Sequence, residues 1–157
     1  MSFVQFLGWL QESYPIAQLR AANHLVIEVT EVLHVLGLVT LLAALVLVNL
    51  RLLGIGLKRQ PSPLVATAAA PLVWGGLTVT LLTGTILFLS GPVRYYYNNA
   101  FLPKMGLLAL ALLVQFTLYR KVTKAEQPRP LLATGSALLS LSLWFGVGLF
   151  GRAIGYV

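Results

Sequence analysis

Residues 31–50, EVLHVLGLVTLLAALVLVNL, decide how the rest of the chain is read. After Glu31 and His34 this run holds no ionisable residue, and its remaining polar side chains are Thr40 and Asn49. At a rise of about 1.5 Å per residue, some 20 apolar residues in a helix cross the roughly 30 Å hydrocarbon core of a bilayer. An acid and a histidine at the mouth of such a helix need a reason, because a charge at bilayer depth costs about 3 kcal/mol or more. The Glu31–His34 pair is therefore the first candidate for a functional site.

The whole chain reads the same way. Its 157 residues are 58% hydrophobic and 10% charged, with mean hydropathy +0.86, whereas a soluble domain is about 25% charged. Further apolar runs cover approximately residues 68–90, 103–119 and 131–150. The expected fold is all-α: one integral membrane domain over residues 1–157, a four-helix bundle. Its transmembrane helices are expected at about 23–52, 68–90, 103–121 and 131–151. A short interfacial helix is expected at about 3–13, with Trp9 at headgroup depth. Residues 1–20 lack a basic leader and an Ala-x-Ala site and carry Glu12 and Pro15, so the first long helix is expected to direct insertion itself. Prolines punctuate the chain at Gln60-Pro-Ser-Pro63, Ser90-Gly-Pro92, Pro103 and Gln127-Pro-Arg-Pro130, and Pro71 reads as lying early in the second helix. No internal repeat and no second domain are visible.

The absence of cysteine excludes disulfides, thiolate metal sites, iron–sulfur clusters and thiol catalysis. The net charge of +7 does not point to nucleic acid, because the basic residues cluster at helix ends rather than along one face. They report topology instead. Arg51, Lys58, Arg59, Arg120, Lys121, Lys124 and Arg129 lie on one side of the membrane, against Arg20, Arg94, Lys104 and Arg152 on the other. The positive-inside rule then puts both connecting loops in the cytoplasm and both termini outside. The lipid bilayer is the first partner, and a small four-helix unit also leaves surface for a homodimer or a larger membrane complex.

With this topology the scattered polar residues fall at one level. Glu28, Glu31 and His34 open the first long helix; Arg94, the Tyr95-Tyr96-Tyr97 run, Asn98, Asn99 and Lys104 join the second and third; Arg152 and Tyr156 end the fourth. Depth counting back from Arg51 puts Glu31 at the membrane boundary and His34 about one turn inside. The inner half of the bundle holds little besides Asn49, Gln115 and a few Ser and Thr, so any site is expected to open outward. Gly146, Gly148, Gly151 and Gly155 permit close approach of a backbone or a flat ligand to the last helix.

Three chemistries suit these residues. The first is haem b: a neutral imidazole in a four-helix bundle is a common axial ligand. His34 would hold the iron, Glu31 would orient the outer residues, and Arg94, Lys104 and Arg152 would meet the propionates. His24 lies ten residues away, about 280° round the same helix, and cannot face His34 across one iron. Met105, beside Lys104, is then the candidate second ligand, with a five-coordinate iron or a second copy's histidine as alternatives. Trp144 is the candidate aromatic wall. The second chemistry is a copper or iron ion on Glu31 and His34, extended by His24 and Glu28. The third is a quinone whose carbonyl is hydrogen-bonded by His34, with Trp74, Trp144 and the tyrosines around it. Beside these stands a purely structural reading, in which Glu31 pairs with Lys104 or Arg152 and His34 satisfies a backbone carbonyl.

Several stretches resemble an uncharacterised family of small four-helix bacterial membrane proteins, a domain of unknown function. They are Phe6-Leu-Gly-Trp-Leu-Gln-Glu12, Glu31-Val-Leu-His-Val-Leu-Gly37, Asn49-Leu-Arg-Leu-Leu-Gly54, Thr83-Gly-Thr-Ile-Leu-Phe-Leu-Ser90, Asn98-Asn-Ala-Phe-Leu-Pro-Lys-Met105, and Trp144 to Arg152. That resemblance implies a bacterial inner membrane and brings no activity. More distantly, the layout is similar to HemJ-type protoporphyrinogen oxidases and CopD-like copper-resistance domains. His34 early in a helix ending in Arg51-Leu52, with Lys104 opening a later helix, carries the HemJ likeness. It implies His34 as a haem b ligand and Lys104 as a site cation. The HemJ pattern has a histidine just before that lysine, where this chain has Leu102 and Pro103. The expected function is thus a haem b-binding membrane protein in electron transfer or a related redox role. The alternative is an accessory subunit of a larger membrane complex.

Overall fold

The structure, a computed structural model, describes residues 2–21, 24–125 and 129–156. The chain opens with α1 (Phe3–Glu12) and α2 (Tyr14–Ala21). Ser2 and Gln5 start α1 by capping each other: the Ser2 hydroxyl accepts from the Gln5 N–H at 3.3 Å, and the Gln5 side chain accepts from the Ser2 N–H at 2.7 Å. This reciprocal arrangement satisfies two donors that a helix start leaves free.

The long helices are α3 (His24–Leu52), α4 (Ser62–Leu89) and α8 (Pro130–Ala153), together with a composite third span. That span runs through α6 (Phe101–Val114), a π-helical turn (Gln115–Tyr119) and α7 (Arg120–Lys124). A short α5 (Pro92–Tyr96) precedes it. Four spans, Leu25–Leu52, Ser62–Leu89, Phe101–Lys124 and Pro130–Ala153, are long and apolar enough to cross a membrane. No strand occurs among the described residues. The chain is a multi-pass, all-α membrane protein.

The second span starts at Ser62, ahead of its apolar run. Pro61 and Pro63 pre-set the first turn, and Thr67 and Ala68–Ala70 are compatible with helix although weakly hydrophobic. Pro71 consequently sits inside α4 rather than near its start, and removes one backbone hydrogen bond there. At the other end of α3, Gly54 adopts φ +71°, the left-handed conformation that favours glycine. The loop is tied back by Arg51, whose Nε donates to the Gln60 carbonyl.

The helices run antiparallel. The α3–α4 crossing is set by Gly37 and Gly76: a Cβ on Gly76 would lie 2.7 Å from both the Gly37 carbonyl oxygen and the Leu41 nitrogen. No side chain separates the two backbones there, a small-residue contact of the kind that lets membrane helices approach closely. Helix α8 packs on α3 through Gly148, which faces Leu38 and Leu42, and on α6 through Gly146, which faces Leu107. Within this chain Gly151 and Gly155 meet the Lys104 and Arg152 side chains, with Arg152's own carbonyl beside Gly155, rather than a neighbouring helix backbone.

The apolar core is off-centre. Its fully buried members begin at Leu41 on α3 and Ala111 on α6, and stop at Leu77 on α4 and Val147 on α8. Beyond those levels, toward the end that carries both termini, no described apolar side chain of the long helices is fully buried. The bundle is closed at the loop end and loosely filled at the termini end.

Candidate functional site

His34 lies in the loosely filled half. Its Nδ1 is 3.0 Å from Thr83 Oγ1 on α4. The Thr83 hydroxyl itself donates to the Val79 carbonyl at 2.6 Å, with the Thr80 carbonyl at 3.3 Å. A hydroxyl has one proton. Spent on the backbone, it leaves Thr83 to accept from His34, so the neutral ring carries its proton on Nδ1 and presents the Nε2 lone pair. The ring edge rests on Gly84, where an added Cβ would meet Cε1 at 2.9 Å. Thr83, 7% exposed, and Gly84 thus fix both the tautomer and the position of the imidazole.

Lys104 is the cation that the fold brings to His34, within electrostatic reach of the ring. Its stem lies along Gly151 of α8, with Cε 3.5 Å and Nζ 3.6 Å from where a Cβ would stand. A methyl group at residue 151 would touch Lys104 at ordinary van der Waals distance, and a larger side chain would compete with it for this space.

One turn nearer the termini, Phe88, Tyr95 and Phe101 form a roof joining α4, α5 and α6. Phe88 and Phe101 stack at 5.4 Å between centroids, and Tyr95 lies 5.6 Å from Phe101 and 6.3 Å from Phe88. Burial pushes the Tyr95 hydroxyl up; the Arg94 guanidinium, 5.7 Å from its ring, pulls the other way, and Glu31 adds to the rise. Tyr96 packs on Phe3 at 5.4 Å, so α1 is docked beside this roof. The tyrosine run is therefore divided, with Tyr95 in the roof, Tyr96 against α1 and Tyr97 exposed.

The other candidate residues fall elsewhere. Glu28 and Glu31 are exposed. Among the described residues no ion pair links Glu31 to Lys104 or Arg152. Arg94 and Arg152 are exposed at the rim, and Arg152 stacks on Tyr156 at 4.5 Å and donates to its hydroxyl. A polar cleft of about 420 Å³ at this end is lined by Arg94, Asn98, Asn99 and Tyr156 among others, and His34 is not part of its wall. Met105 is 42% exposed, turned about 100° from Lys104 by helical geometry, so it is not brought to His34. Trp144 is 1% exposed within the core. Gly148, facing both Leu38 and Leu42, sets the α3–α8 register, and by it Trp144 lies about ten residues deeper than His34. No group of three His, Asp or Glu side chains able to hold a metal ion occurs among the described residues. The His24 side chain lies outside them.

Sequence reading passed over Thr83 and Gly84. The signal was present in Thr83-Gly84, a hydroxyl and a missing side chain side by side in an apolar run, but it points to His34 only once the α3–α4 register is known.

This arrangement offers a lone pair on a held imidazole, a primary ammonium within electrostatic reach of the ring and an aromatic cluster about one turn nearer the termini. A family of unknown function matches residues 5–157. The chain belongs to this family, DUF6644. Among curated proteins and among solved structures, nothing matches it.

Proposed function

We propose that the protein binds haem b through His34 and serves electron transfer or a related redox reaction in a bacterial inner membrane. The observation that carries this reading is the Nδ1–Thr83 hydrogen bond, because it leaves Nε2 as a lone-pair donor, with Lys104 within electrostatic reach of the ring. Histidines that ligate metal characteristically donate their other ring N–H to a fixed acceptor, which holds the tautomer and the ring. The same tautomer disfavours the quinone alternative: a quinone carbonyl needs a donor, and Nε2 here is an acceptor. Bound haem would supply one-electron redox chemistry. The chain's own residues would hold the iron at His34 and one propionate at Lys104, with Arg94 and Arg152 at the rim meeting the other. Met105 is dropped from the set because it faces outward, so His34 is the residue of this chain that would hold the iron.

The direct test is an absorption spectrum of the detergent-purified protein, oxidised and reduced, with elemental iron. The expected result is a Soret band that shifts on reduction and iron near one per chain. A colourless preparation that stays colourless after haem is added would reject the proposal.

The proposed orientation places both termini and the His34 site on the periplasmic side, on the seven-to-four distribution of basic residues. A C-terminal alkaline phosphatase fusion is expected to be active and a C-terminal fluorescent-protein fusion dark. The opposite pattern would invert the orientation.

A further inference from the structure

The half of the bundle away from His34 contains a second polar constellation. Asn49, Ser136, Ser140, Gln115, Tyr119 and Trp144 are all at most 7% exposed. The Asn49 amide donates to the Ser140 hydroxyl at 3.4 Å, a long contact. Among the described residues, Asn49 Oδ1, Gln115 Oε1, Tyr119 OH, Ser136 Oγ and Trp144 Nε1 have no hydrogen-bond partner.

These groups share a region of the interior. Gly146 facing Leu107 and Gly151 facing Lys104 set the antiparallel register of α8 against α6. Continued along both helices, that register brings Gln115 to the level of Ser140 and Tyr119 to the level of Ser136. Asn49 meets Ser140 from α3. Trp144 lies one turn from Ser140 toward the termini. Gln115 and Tyr119 are the first and last residues of the π-helical turn, and both are buried. Such turns are rare and recur at functional sites.

We infer that this constellation is a binding site for ordered water, enclosed between α3, the π-helical turn and α8. The groups are too enclosed for a second chain or a lipid to reach, so their partner must be small. They also mix types. The Trp144 N–H can only donate, while Asn49 Oδ1 and Gln115 Oε1 can only accept. A cation could use the acceptors but would leave the indole unsatisfied, and among the described residues no carboxylate lies there to balance its charge. Water does both, and a buried water is held by two to four polar partners of this kind. Direct pairing of these side chains, by contrast, is what their unpartnered atoms argue against.

Radiolytic hydroxyl-radical labelling of the purified protein, read by mass spectrometry, tests this, because a buried side chain is labelled where bound water lies against it. Trp144 and Tyr119 are expected to be labelled at rates comparable with exposed Trp9. Ser136→Ala combined with Gln115→Met removes two water partners and is expected to lower labelling at Trp144 and Tyr119 several-fold, leaving Trp9 and Trp74 unchanged. Wild-type protein with Trp9 labelled but Trp144 and Tyr119 silent would overturn the inference, and that arm stands whether or not the double variant folds. Labelling at the two buried aromatics that changes when sodium is replaced by choline would also overturn it, in favour of a bound cation.

Discussion

His34→Ala is expected to purify without a Soret band while keeping its helical circular dichroism. The side chain is half-buried on α3 and its removal leaves a small gap against Gly84, so the fold should persist. The chain has one other histidine, His24, ten residues earlier and displaced about 280° round the helix, which cannot substitute. Thr83→Val separates ligation from positioning. It keeps the shape of the side chain and removes the hydroxyl acceptor for Nδ1–H, so the ring keeps only its backbone partner, the Thr80 carbonyl, and is held less firmly. Loss of such a supporting partner typically lowers metal affinity about 10- to 100-fold, so Thr83→Val should bind haem weakly and Thr83→Ser should restore binding. Full haem occupancy in purified His34→Ala would sink the assignment. Equal affinity in Thr83→Val and wild type would leave the ligand but remove the role given to Thr83.

The four spans were legible because their apolar runs are long and nearly free of charge, a property of composition that needs no knowledge of packing. Their ends were less so. The start of α4 at Ser62 rests on Pro61, Pro63 and residues with adequate helix propensity but little hydropathy, and a hydropathy reading weights only the latter property. The π-helical turn at Gln115–Tyr119 has no hydrophobic signature at all.

Glu31 and His34 stood out because ionisable residues are rare in such runs. What holds His34 did not, since Thr83 is 49 positions away and threonine is an ordinary residue in membrane helices. The α3–α4 register that joins them is set by Gly37 and Gly76, whose contact involves backbone alone. Trp144 illustrates the converse. Its residue type suggested a pocket wall, yet its place along α8 puts it in the core, where its N–H is part of the inner polar constellation instead.

Gly76→Ala is expected to destabilise the bundle strongly, whereas Gly75→Ala should be harmless. The two positions are adjacent and chemically identical, so helix propensity favours alanine equally at both, by about 1 kcal/mol. They differ in what a methyl group would meet. At Gly75 there is nothing within 4 Å. At Gly76 the new Cβ would stand 2.7 Å from the Gly37 oxygen and the Leu41 nitrogen, and 3.1 Å from Leu41 Cα. All three are backbone atoms, which cannot rotate out of the way, so α3 and α4 must move apart along their crossing. Overpacking of this kind costs about 1–3 kcal/mol, and the upper end is expected here because no side chain can absorb it. Gly37→Ala should be milder, since its two nearest neighbours are side-chain atoms, Thr80 Oγ1 at 2.8 Å and Val79 Cγ1 at 3.0 Å, and the nearest backbone atom of α4, the Gly76 oxygen, stands farther off at 3.1 Å. Unfolding in detergent mixtures with increasing dodecyl sulfate, followed by circular dichroism, ranks the three. Separation of the helices also reaches the site, because His34 lies one turn from Gly37 and its Nδ1–Thr83 bond spans the same two helices. Folded Gly76→Ala protein should therefore lose haem affinity along with stability. Unfolding of Gly76→Ala at the wild-type midpoint would show that the backbone contact does not set the α3–α4 register.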